Sequence, residues 1–175
     1  MSLWGPLAER YETARTPRRL LALDGGGIRG VMTLEVLAEI ERQLREIRGG
    51  GDEFRLCDFF DYVGGTSTGA IIAAGLARGM SVGDLLTFYR TVGPSMFDKE
   101  ALLKRFRNLY KSEPLAAELK KTYGADTTLE PQHLRCLLLA VTRNVTTDSP
   151  WPISSNPFAR YNNPDRDDCN LRIPL

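Results

Sequence analysis

The sequence predicts an α/β domain with a mostly parallel central sheet, and three features carry that reading. Leu20-Leu21-Ala22-Leu23 is a short apolar run closed by Asp24 and three glycines, the pattern of a strand buried on both faces. Val31, Leu34, Leu37, Ile40, Leu44 and Ile47 then recur at helical spacing, with Glu35, Glu39, Glu41, Arg42 and Arg45 between them. A second strand, corner and helix follows around Ser67, and such alternation is how parallel sheets are built.

Composition narrows the class. A chain of 175 residues, 42% apolar and 26% charged, suits one domain with a real core. A net charge of +1 gives no general pull toward nucleic acid, which is not expected as a partner. No apolar run approaches the length of a membrane span. Glu9, Arg10, Glu12, Arg15, Arg18 and Arg19 crowd the first twenty residues, unlike a secretory signal, so the expected location is the cytoplasm, with peripheral contact at membranes. Cys57, Cys136 and Cys169 are widely spaced and form no C-x-x-C pair. They read as core thiols, and neither a metal nor a cofactor is expected.

Taken in order, residues 1–19 mix Trp4, Pro6 and Pro17 with charges and read as an irregular arm ahead of a domain over 20–175. The first helix ends at Gly49-Gly50-Gly51. Ser81-Val82-Gly83-Asp84 is a capping box for a helix that Gly93-Pro94 should stop. Residues 95–111 hold Met96, Phe97, Phe106 and Tyr110 beside Lys104, Arg105, Arg107 and Lys111, a segment that suits a lid meeting anionic lipid or a solvated helix. Another helix is expected from Glu113 to Tyr123, a strand over 134–141, and a hairpin around Thr147–Pro150. The final five residues read as the beginning of an element.

Two motifs carry chemistry. Gly65-Thr66-Ser67-Thr68-Gly69 has the G-x-S-x-G form of an elbow, where serine takes a strained conformation and flanking glycines let the chain pass itself closely. The helix that follows aims free N–H groups and its positive end at the hydroxyl, as an acyl-transfer nucleophile requires. Asp24-Gly25-Gly26-Gly27-Ile28-Arg29-Gly30 lies in the first turn, where glycine amides can gather around an anion. Gly25, Gly27 and Gly30 also satisfy G-x-G-x-x-G, but a dinucleotide site expects an acidic residue closing the second strand. Here that strand runs into Ser67 instead.

The pairing of these two motifs resembles the patatin-like phospholipases, and it is far more specific than either motif alone. The resemblance implies a three-layer α/β/α fold and a lipid acyl hydrolase, a phospholipase A or acyl esterase, acting on phospholipid or another acyl lipid. It further implies Ser67 as nucleophile of a Ser-Asp dyad and the backbone of Gly25, Gly26 and Gly27 as oxyanion hole. Arg29, Gly30, Gly65 and Gly69 support the motifs, Arg29 by holding the loop or by touching substrate. The residues agree on one point independently: a Ser-His-Asp triad needs a histidine, and His133, between Gln132 and Leu134, reads as structural.

The family's aspartate sits in an Asp-Gly-Gly or Asp-Gly-Ala motif near the C-terminal end of the domain, whereas the only Asp-Gly here is Asp24-Gly25. Asp126, Asp148, Asp165, Asp167 and Asp168 all lack the following glycine. The expectation is a domain incomplete at its C-terminal end, without the base and weak or inactive alone. The alternative is a catalytically incomplete lipid-binding or interaction module.

Overall fold

The structure, a computed structural model, describes residues 4–11, 17–96, 113–144 and 146–175. Helix α1 (Pro6–Glu9) leads into strand β1 (Leu20–Leu23), a short turn of 3-10 helix (Gly27–Arg29) and helix α2 (Gly30–Arg48). Helix α3 (Leu56–Phe59), strand β2 (Tyr62–Thr66) and helix α4 (Thr68–Arg78) follow, then α5 (Val82–Met96) and α6 (Glu113–Tyr123). Strands β3 (Leu137–Asn144) and β4 (Ser149–Ser154) complete the sheet, in the order β1-β2-β3-β4. The first three strands are parallel, and β4 returns antiparallel on β3. The architecture is the three-layer α/β pattern expected.

Register explains the core. Leu21, Val63 and Leu138 are paired across the three parallel strands and so point to one face. Against that face lies α4, which carries no charge before Arg78 and buries Ile72, Ala73, Leu76 and Ala77. A helix apolar on every side belongs inside, and α2 and α5 cover its outer flank. On the opposite face Tyr11 meets Tyr62 edge-on, and the Tyr62 hydroxyl bonds Ser154 at 2.8 Å. Strand β1 forms a sheet edge, where Leu20 is 69% exposed.

Several expectations are corrected. The N-terminal lead-in is not wholly irregular: it contains α1, with Leu7 buried in the main core and Trp4 packed near Cys169 and Leu171. Ile47 belongs to the helical stripe by spacing but is exposed, in the last turn of α2. Helix α5 runs through Gly93-Pro94 to Met96, so the pair falls within its last turns and does not stop it. Strand β3 starts three residues later than expected, since the amides of Arg135 and Cys136 are taken by the Ala77 carbonyl at the end of α4. It also runs on through Thr142, Arg143 and Asn144, whose partners on β4 are Trp151, Pro150 and Ser149. As for residues 171–175, Thr128 bridges Pro174 and the Leu175 amide donates to the Thr127 carbonyl at 3.0 Å, which leaves open the reading of this stretch as the start of an element.

Other features follow the sequence. Gly49 ends α2 with φ of 63°. The Asp84 amide donates to the Ser81 hydroxyl at 3.0 Å, as the capping box requires. The three cysteines are buried free thiols, and burial pushes Cys57 up to about 11. Most of the basic, aromatic segment read as a lid, residues 97–111, lies outside the described residues.

Glu41 is a charged group in the core, 5% exposed, with Arg45 3.7 Å away and the Val82 amide donating to it at 3.3 Å. Burial holds its carboxyl above the usual range, against the pull of those partners. The folded state therefore binds this proton more readily than the unfolded chain. The resulting stabilisation is full in acid and is lost as pH rises from about 4.3 through the raised value. Glu41→Gln should flatten that part of the pH profile of urea midpoints, and an unchanged profile would contradict the assignment.

Candidate active site

The corner between β2 and α4 is built by close backbone approach. A Cβ on Gly65 would stand 2.3 Å from the carbonyl of Gly69, and one on Gly69 would stand 2.2 Å from the Leu23 carbonyl oxygen. Hydrogen at both positions is what allows β1, β2 and α4 to meet there. Between them Ser67 takes φ 51° and ψ −122°, a conformation that costs a non-glycine residue of order 1–3 kcal/mol. Its side chain is exposed, its carbonyl accepts from Ala70 at 2.9 Å, and it stands at the N-terminus of α4. The α4 dipole and unpaired first-turn amides make this end positive. The Tyr89 hydroxyl, donating to the Thr68 carbonyl at 3.0 Å, ties α5 to the same turn.

The glycine loop lies directly against this corner. A Cβ on Gly25 would be 3.0 Å from the Ser67 Cβ, and the Gly25 amide donates to the Thr66 hydroxyl at 3.2 Å. Gly26 has φ of 169° and ψ of 13°, and Gly27 has φ of 59°, so the loop turns sharply there. Arg29 folds back on it: the backbone amide donates to the Gly26 carbonyl at 3.2 Å and the guanidinium Nε at 3.4 Å. Gly30 is buried where a Cβ would lie 2.5 Å from Thr68 Cγ2, so the end of the loop is keyed to the start of α4. The two motifs, separated by more than thirty residues of chain, thus form one assembly.

Ser67 opens into a cleft of about 730 Å³. Its polar wall includes Thr66, Thr142, Arg143 and Asp148, and the rest comes from α4 and its N-cap, α6, β3 and β4. Asp148, at the hairpin turn with φ of 55°, is ion-paired to Arg143. His133 is held elsewhere: its Nδ1 accepts from the Thr128 amide at 3.0 Å. Sequence reasoning missed Thr66 and the Arg143–Asp148 pair. Thr66 is visible in the motif only as a spacer, and the pair needs the hairpin register to bring it to the cleft.

The model of the family described as patatin-like phospholipase matches residues 21–173, and the chain belongs to that family. It is 35% identical over 156 residues to a cGAMP-activated phospholipase of Vibrio cholerae, covering 83% of this chain and 43% of that protein. A cGAMP-activated phospholipase of Escherichia coli is 35% identical over 137 residues, 75% of this chain and 38% of its own. Patatin-like protein 4 of Arabidopsis thaliana is 36% identical over 118 residues, 60% and 29% of the two chains. The chain therefore spans less than half the length of these relatives. Among the described residues, no helix is long and apolar enough to cross a membrane.

Proposed function

We propose that the chain carries the nucleophile and oxyanion loop of a serine lipid acyl hydrolase that cleaves phospholipid or another acyl lipid, working peripherally at a membrane surface. The observation that carries this reading is Ser67, exposed at a positive-φ corner on the N-terminus of α4, with the Gly25–Gly27 loop packed against it. The hydroxyl attacks the ester carbonyl, and a base removes its proton as the bond forms. The tetrahedral oxyanion is held by backbone amides. Because the Gly25 amide is turned to Thr66, that duty falls to Gly26 and Gly27, with Arg29 fixing the loop through the Gly26 carbonyl.

The reading assigns the base to an aspartate outside these 175 residues, making a Ser-Asp dyad with Ser67. Asp24 opens the glycine loop, and Asp148, though it lines the cleft, is committed to Arg143. Purified 1–175 should therefore hydrolyse short acyl esters only weakly, because an oxyanion hole without a base retains a small part of the catalysis. Fast hydrolysis by 1–175, lost in Ser67→Ala, would place a base inside the chain and overturn this part of the reading.

A further inference from the structure

A rim of exposed apolar side chains borders the Ser67 corner. Ile28, in the glycine loop itself, is followed by Met32 and Val36 on one side of α2, which are 69% and 62% exposed. Single exposed apolar residues are ordinary on a protein surface, but three at successive helical turns form a patch. Charge is sorted along the same helix. Residues 28–38 hold Arg29 and Glu35, and Glu35 is ion-paired to Arg90 at 2.8 Å, whereas residues 39–48 hold Glu39, Glu41, Arg42, Arg45, Glu46 and Arg48. The side that carries Met32 and Val36 continues as Glu39 and Gln43, which are hydrogen-bonded to each other at 2.7 Å. The patch is thus confined to the end of α2 beside Ser67. Trp151, also exposed, stands at the same end of the sheet: it pairs with Thr142, one step past the Thr66–Val141 pair that brings β2 to Ser67.

We infer that this rim docks the domain on a lipid bilayer, with Met32 and Val36 set below the headgroups and Trp151 at their level. The inference rests on the proposed acyl hydrolase reading and adds which face meets the membrane. An interfacial anchor needs apolar side chains on the part that enters and charge behind it, and α2 has that order along its length. Tryptophan suits the boundary, because its ring is apolar while its indole N–H stays among the headgroups. Helix α2 has no acidic residue in its first turn, and the flanking Arg29 is exposed, so the end that faces the membrane is positive and suits anionic lipid. Docked this way, Ser67 faces the lipid layer and an ester reaches the cleft without crossing bulk water.

The test is flotation of the 175-residue chain with vesicles of equal parts phosphatidylcholine and phosphatidylglycerol. Met32→Gln and Val36→Gln should each lower vesicle affinity about tenfold, the loss expected when one inserted side chain of that size turns polar. Both positions are exposed, so their urea midpoints should hardly move. Ile47→Gln is the control: Ile47 is at least as exposed but sits among the charges at the far end of α2, and its loss should leave vesicle affinity unchanged. Brominated lipid should quench Trp151 and spare the buried Trp4, so that Trp151→Phe removes the quenching. Equal losses for Met32→Gln and Ile47→Gln, or affinity that neither Met32→Gln nor Val36→Gln lowers, overturns the rim. Self-association in place of vesicle binding, abolished by Met32→Gln, also overturns it and gives the patch to a second copy. Loss of vesicle binding in a longer form carrying the proposed dyad aspartate overturns it as well and gives the patch to the rest of the chain. Ser67→Ala should bind vesicles unchanged, which separates the two ideas. Vesicle binding with Ser67 inert to a fluorophosphonate in that longer form supports the rim and removes the nucleophile, whereas labelled Ser67 without vesicle binding does the reverse.

Discussion

Gly69→Ala is expected to prevent the domain from folding stably, at a cost of about 4 kcal/mol or more. Alanine is the better helix former by about 1 kcal/mol, so propensity alone favours the change. Contact decides the sign. The added methyl would stand 2.2 Å from the Leu23 carbonyl oxygen and 2.8 Å from that of Asp24, and both are backbone atoms held in or beside β1. Neither can swing away as a side-chain tip would. Gly83 is the internal control, because it is exposed on α5 and an added methyl would come no closer to another residue's side chain than 3.7 Å, at the Ser81 hydroxyl. Gly83→Ala should stabilise by about 0.5–1 kcal/mol in the same urea titration. Equal midpoints for the two variants would mean that the elbow is not held by the approach of α4 to β1.

Gly26→Ala and Gly27→Ala should lower turnover more than substrate binding, measured in a form of the protein that carries the proposed dyad aspartate. At Gly27, φ of 59° is a left-handed value that costs alanine about 1–2 kcal/mol, so the loop relaxes and turns its amide away. At Gly26 a methyl fits, but it meets the Arg29 Cβ at 3.5 Å and Nε at 3.6 Å and so disturbs the contact that pins the loop. An oxyanion hole binds charge that exists mainly in the transition state, so kcat should fall by about two to three powers of ten while KM moves little. A rise in KM with kcat unchanged would assign the loop to ground-state binding.

Much of this arrangement is legible in the sequence because its constraints are local. Three glycines after an apolar run, and a serine between glycines before an uncharged helix, each dictate a turn that few other residues could form. The pairing of the two turns follows from parallel-sheet topology, which sets the ends of β1 and β2 side by side. What the sequence hides depends on tertiary company. Pro94 reads as a stop because it lacks a donor, yet α5 continues through it. Leu115 and Leu119 look like any apolar helix face, and only the placement of α6 in the fold brings them to the cleft. Asp148 resembles a free carboxylate until the hairpin places it against Arg143.

The central claim is that Ser67 is the nucleophile, and the most direct measurement is the site of covalent capture by a fluorophosphonate. The protein, in a form carrying the proposed dyad aspartate, is treated with the reagent, digested and mapped by mass spectrometry. The account predicts one adduct, on Ser67, absent from Ser67→Ala and strongly slowed in Gly27→Ala. An adduct on another serine, or undiminished labelling and ester hydrolysis in Ser67→Ala, would contradict it.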